Sequence, residues 1–237
     1  MKENKIWNDY LPEDMQEHWT VYECLKESED SSTFLVKETA TGILCVLKWG
    51  RNRQAEFLRN EMEIMEKMAD RKLSGIPKTY RIFEENGEVY LVREYIEGMS
   101  LAQMVLQKGG ISEAEICRIS RKICQTAEQF QNPDEPMIHR DIKPENIVVT
   151  PGGEVVFIDF GTMRSYKKDG SRDTFVVGTR GTAAPEQYGY TQTDQRTDVY
   201  AIGQTMLYMV SESYEMNQLS ECAVSRRMKI GRASCRE

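Results

Sequence analysis

The chain of 237 residues carries 38 acidic against 31 basic side chains, a formal charge of −7. That balance leaves no basic stripe to neutralise phosphates and argues against a nucleic-acid partner. No run approaches the roughly 18 apolar residues of a membrane span, and the polar N-terminus lacks a signal-peptide core. The six cysteines form no C-x-x-C pair and there are two histidines, so a zinc site is not expected; buried thiols in a reducing, cytoplasmic setting are.

Residues 1–18 are polar and read as a tether, with room for a short helix around Pro12–Glu17. Strands are expected at Thr20–Lys26 and Ser32–Lys37, and a turn at Ala40-Thr41-Gly42 leads to a third at Leu44–Trp49. Arg53–Ala69 has helical periodicity. Thr79–Glu84 and Val89–Tyr95 flank Asn86-Gly87, a strong hairpin dipeptide. The first half is therefore an antiparallel five-stranded sheet with one helix.

The character then changes. Ser112 with Glu115 is a capping box opening a long helix to about Asn132. Short strands at Ile147–Val149 and Val155–Ile158 flank Pro151-Gly152-Gly153, and 159–186 is polar and Gly-rich enough to be a long functional loop. Thr197–Ser211 is an apolar helix expected to leave Ile202, Met206 and Met209 exposed. The fold class is α+β in two lobes, 19–96 and 97–211, followed by a tail at 212–237 of which 230–237 reads as an artefact.

The run His139-Arg140-Asp141-Ile142-Lys143-Pro144-Glu145-Asn146 carries the chemistry. Phosphoryl transfer needs a carboxylate to orient the attacking hydroxyl, an ammonium to steady the moving phosphate and an oxygen ligand for a metal ion. Asp141, Lys143 and Asn146 supply these on one tight loop. Upstream, strand alternation puts Leu44, Val46 and Lys48 on one face, where an ammonium is costly unless paired. The following helix has an apolar stripe of Phe57, Leu58, Met62, Met65 and Met68, and Glu61 falls inside it. A lone carboxylate and a lone ammonium, each on a buried face, are best explained as partners.

With Asp159-Phe160-Gly161 and Ala184-Pro185-Glu186 downstream, the order and spacing resemble the protein-kinase signature set, and Lys143 resembles the serine/threonine branch. The resemblance implies a two-lobed kinase fold and transfer of the γ-phosphoryl group of ATP to Ser or Thr hydroxyls of protein substrates. It implies Asp141 as base and Lys143 as phosphate contact. Asn146 and Asp159 would be ligands of Mg²⁺, and Lys48–Glu61 the bridge that positions the α- and β-phosphates. Leu25, Val46 and Val148 align with the apolar sandwich around adenine, and Glu94 and Ile96 with the hinge that bonds the base. His139 and Phe160 align with core rings, Asp198 with an acid bracing the catalytic loop, and Gly178–Glu186 with the substrate-docking stretch. Arg140 is what members switched by loop phosphorylation carry, so Thr174 or Ser171 is a candidate autophosphorylation site.

Three departures stand out. The glycine-rich frame falls on Lys26-Glu27-Ser28-Glu29-Asp30-Ser31-Ser32-Thr33, which has no glycine, so the backbone should reach the phosphates less well. Arg93 occupies a position normally apolar or small. The second lobe reads as truncated, because family members continue with further helices whose arginine pairs with the acid aligned to Glu186. The alternatives are a pseudokinase or nucleotide-sensing interaction module, and a small-molecule phosphotransferase with a kinase-like fold.

Overall fold

The computed structural model describes residues 11–71, 73–108, 111–131, 135–166, 178–189 and 192–211. The chain divides into two compact units, Met1–Lys72 with Pro77–Ile96, and Leu73–Ile76 with Glu97–Glu237.

The first unit is built on β1 (Trp19–Glu27), β2 (Ser31–Glu38), β3 (Leu44–Gly50), β4 (Thr79–Glu85) and β5 (Glu88–Glu94), in the order β1-β2-β3-β5-β4. Every pairing is antiparallel. The β4–β5 hairpin turns at Asn86 and Gly87, both with positive φ (51° and 83°), as a tight hairpin of right-handed twist requires. A short helix, α1 (Glu13–Gln16), precedes the sheet. Leu11 and Met15 are buried with Trp19, Phe34, Val36, Leu47, Tyr90 and Val92, so residues 11–18 are not the tether expected from their polarity. Two apolar side chains in that polar run suffice to seat the segment on one face of the sheet.

The opposite face receives α2 (Arg53–Met68). Its buried residues are Ala55, Leu58, Glu61, Ile64 and Met68, so the apolar stripe is rotated from the expected one while Glu61 stays at its centre. Ala55 and Leu58 pack with Val89 and Leu91 of β5.

The second unit contains β6 (Met99–Ser100), α3 (Leu101–Lys108), α4 (Glu113–Glu128), β7 (Met137–Ile138), β8 (Ile147–Val149), β9 (Val155–Phe157), β10 (Arg164–Ser165) and α5 (Gln195–Ser211). Ser112 Oγ accepts from Glu115 N at 3.3 Å, the cap expected for α4. Leu73–Ile76 belongs to this unit rather than to the first lobe. Gly75 O accepts from Phe157 N at 2.9 Å, and Ser74 N donates to Gln129 Oε1 at 2.9 Å. Gly75 has φ +73°, and a Cβ there would lie 2.8 Å from Val155 O, so glycine is required by both torsion and space. In α5, Met206 is exposed as expected, along with Val199 and Tyr200, but Ile202 and Met209 are buried, because the helix packs on α4 and β7.

Candidate functional site

Lys48 projects from β3 toward α2, and its Nζ lies 2.7 Å from Glu61 Oε2. The ammonium side chain is 12% exposed and the carboxylate 2%, so the pair is desolvated and held by a direct charge-assisted bond. Val46, one alternation earlier, is buried on the same face and stands opposite Arg93 of β5, which is also buried. Glu94 N donates to Lys78 O at 2.8 Å and its Oε2 accepts from Lys78 N at 3.0 Å, which fixes the end of β5; Ile96 is half-buried. Leu25 is exposed, at a point where the β1–β2 register shifts between Cys24 and Lys26.

The glycine-free turn between β1 and β2 is closed by its serines. Ser28 N donates to Ser31 O at 2.8 Å, and the two hydroxyls lie 2.8 Å apart. Asp30 is tied down by Arg51, whose Nε reaches Asp30 Oδ1 at 2.8 Å and whose N–H reaches Asp30 O at 3.0 Å; Asn52 Nδ2 adds a bond at 3.1 Å. None of residues 26–33 has positive φ, so the turn carries no left-handed strain. It spends the Ser28 N–H on itself instead.

In the second unit the segment after β7 is fixed from below by a buried acid. Asp198 accepts from His139 N and Arg140 N, each at 2.9 Å. Burial pushes the Asp198 carboxyl up to about 6, and the two N–H donors oppose that rise. The His139 ring sits 5.4 Å from Phe157 and 5.3 Å from Phe160, with Phe130 alongside. Burial lowers its pKa to about 4, so the imidazole is neutral near pH 7 and is core rather than catalyst.

Above this floor the polar side chains converge. Lys143 Nζ lies 2.8 Å from Asp141 Oδ2 and 2.6 Å from Thr179 Oγ1. Thr179 Oγ1 donates to Asp141 Oδ1 at 2.7 Å, and Asn146 Nδ2 donates to Asp141 Oδ2 at 2.9 Å and to Asp141 O at 3.0 Å. Ile158 N donates to Asn146 O at 2.9 Å, which sets Asp159 beside Asn146 in the chain's path. Asp159 Oδ1 accepts from Gly161 N at 3.3 Å. Val148 is buried in β8. Thr174 and Ser171 lie outside the described residues. Glu186, expected to want an arginine, accepts from Thr197 Oγ1 at 2.7 Å.

With its nitrogen committed to Asp141, the Asn146 amide keeps its oxygen for another partner, and Asp159 adds a second hard donor. Among the described residues no group of three or more His, Cys, Asp or Glu forms a closed cage. The two-oxygen set fits Mg²⁺, which keeps several waters and takes phosphate oxygens rather than an all-protein shell.

A five-stranded antiparallel unit with a strand-Lys to helix-Glu bridge, and a mainly helical unit with this loop, are the parts of a protein-kinase fold. Residues 20–232 match the protein kinase domain family, and the chain belongs to it. The match reaches into the residues read from sequence as a tail. Relatives include serine/threonine-protein kinase D of Synechocystis, 32% identical over 66% of this chain and 31% of its own length. A probable serine/threonine-protein kinase of Clostridium perfringens is 34% identical over 57% of the chain and 20% of its own. Serine/threonine-protein kinase PknA of Nostoc is 30% identical over 66% and 28%. The chain thus spans about a third or less of these relatives' length. No described helix is long and apolar enough to cross a membrane.

Gln187 was not singled out from the sequence. It is 4% exposed, its Nε2 donates to Arg140 O at 2.7 Å, and its Oε1 accepts from Ala184 N at 2.9 Å. A polar residue directly after Ala-Pro-Glu is a weak sequence signal, because the same residue at the surface would look identical.

Proposed function

We propose that the protein is an ATP-dependent serine/threonine protein kinase. The observation that carries this reading is the convergence of Thr179, Lys143 and Asn146 on the Asp141 carboxylate. Asp141 orients the acceptor hydroxyl and takes its proton as the oxygen attacks. Lys143 places its ammonium beside the same oxygens, where negative charge on the transferring phosphoryl group is screened. Thr179 joins the docking stretch to the base, so a seated substrate and a correctly aimed carboxylate go together. Lys48, aimed by Glu61, contacts the α- and β-phosphates. Asn146 and Asp159 would hold Mg²⁺, which when bound neutralises charge on the phosphates. Leu25, Val46 and Val148 contact adenine, and Glu94 and Ile96 present backbone groups to its edge. Substrates are cytoplasmic proteins with Ser or Thr.

Incubation of the full chain with Mg·ATP is expected to phosphorylate Ser/Thr peptides over Tyr peptides. It should also place phosphate on the 165–179 segment, with Thr174 leading because Arg140 offers a guanidinium fork. Peptide mapping that finds phosphate only elsewhere would refute the switch. No transfer to any Ser/Thr substrate would refute the activity.

The closed serine turn should weaken nucleotide binding more than it slows transfer. The Ser28 N–H is bonded to Ser31 O and cannot reach a phosphate, and Glu27, Glu29 and Asp30 add repulsion. Each missing charge-assisted bond is worth about 1.5–3 kcal/mol, so losing one or two places the ATP Kd in about the high-micromolar to millimolar range. Replacing Ser28 and Ser31 with Gly deletes the hydroxyl bonds that reinforce the closed turn, and the Cβ atoms that restrict its backbone, and should tighten binding. A low-micromolar Kd by calorimetry, unchanged by the two glycines, would contradict this account.

A further inference from the structure

We propose that Gln187 is a positioning residue for the transfer reaction, fixing the Arg140–Asp141 peptide from the docking stretch. This rests on the protein-kinase reading above.

Arg140 has φ +67°, an uncommon torsion for a residue with a Cβ, and such torsions persist when their surroundings over-determine them. Three separate elements grip it. Its N–H is held by Asp198 Oδ1 of α5 at 2.9 Å, and its side-chain Nε by Thr162 O at 2.7 Å. Its carbonyl is held by Gln187 Nε2 at 2.7 Å. That carbonyl belongs to the peptide leading directly into Asp141, so its orientation sets where the base's Cα lies and which way its side chain leaves.

The amide that makes this bond is itself fixed. Gln187 Oε1 is engaged by Ala184 N, and Gly178 packs against the other end. A Cβ at Gly178 would lie 2.9 Å from Gln187 Nε2 and 2.6 Å from the Ala183 Cβ. The side chain therefore has one place to go, and its two ends join the turn at 184–188 to the catalytic loop. Thr179 reaches the Asp141 carboxylate from the same stretch, so base and backbone are both oriented by residues 178–189. An ordered docking stretch gives an aimed base, and a disordered one releases it.

The test compares the full chain with Gln187→Met, which removes donor and acceptor at similar volume, and Gln187→Glu, which keeps the acceptor for Ala184 N but loses the donor to Arg140 O. Losing the bond to Arg140 O, which both variants share, should lower kcat by about tenfold to a hundredfold in each, with the KM for ATP within about twofold. Amide exchange of the 137–142 peptide should quicken in both variants while that of β3 is unchanged. Wild-type kcat and exchange in the Met variant would overturn the proposal. So would a Glu variant that behaves as wild type, since the Ala184 bond alone would then suffice. If the unmodified chain transfers no phosphate, the kinase reading fails; the exchange experiment then still decides whether Gln187 fixes the peptide.

Discussion

Asp141→Asn is expected to lower phosphoryl transfer by about 10² to 10⁴, the span for a positioned general base, and to leave Mg·ATP binding near wild type. Three donors, from Thr179, Lys143 and Asn146, converge on the two carboxylate oxygens. An amide offers one oxygen and an NH₂, so at least one donor loses its acceptor and the proton-accepting charge is gone. The loop stays braced, because its bonds to Asp198 use the backbone of His139 and Arg140, which the substitution does not touch. Single-turnover assays beside calorimetry separate the two effects. Transfer at the wild-type rate would remove Asp141 from the role of base.

The second large effect concerns Lys48 and Glu61. Glu61→Ala removes the carboxylate bonded to a largely desolvated ammonium, and breaking such a pair costs about 3–5 kcal/mol. Lys48→Met with Glu61→Leu replaces both charges by apolar groups beside Leu58 and Leu91 and should recover most of that stability. It should not recover ATP binding, because the phosphate contact is gone. Denaturant melts and nucleotide titration on the same three proteins check both halves. A double variant as unstable as Glu61→Ala, or one that binds ATP normally, would show that the pair is not doing what its geometry implies.

Much of this arrangement is legible from sequence because chemistry at fixed spacing is a stronger signal than hydrophobic period. A carboxylate in an apolar stripe points to its partner even though the stripe itself is drawn on the wrong angle. Ile64 and Ala55 are buried where Phe57 and Met65 were expected, since a helix of this length can turn either way against a sheet. Helix α3 carries a local signal as well. Ser100 Oγ accepts from Gln103 N at 3.1 Å while Gln103 Oε1 accepts from Ser100 N at 3.0 Å, a capping box visible as Ser-Leu-Ala-Gln. The two-residue strands β6, β7 and β10 were not legible, because a pair of bonds made across many residues leaves no local pattern. Nor was Gln187, whose role depends on the torsion of a residue 47 positions earlier.

The assignment of Leu73–Ile76 to the second unit bears on the order in which the molecule acquires its structure. The sheet β1–β5 draws only on residues up to Glu94, through hairpins and one helix crossing, so its contacts are available early in synthesis. Leu73–Ile76, in the connection between α2 and β4, follow a different schedule. Their hydrogen-bonding partners are Gln129 and Phe157, the latter 82 positions beyond Gly75. A nascent first unit therefore carries an unfinished stitch in the middle of its own sequence. That stitch closes when β9 arrives, as part of the second unit's own folding.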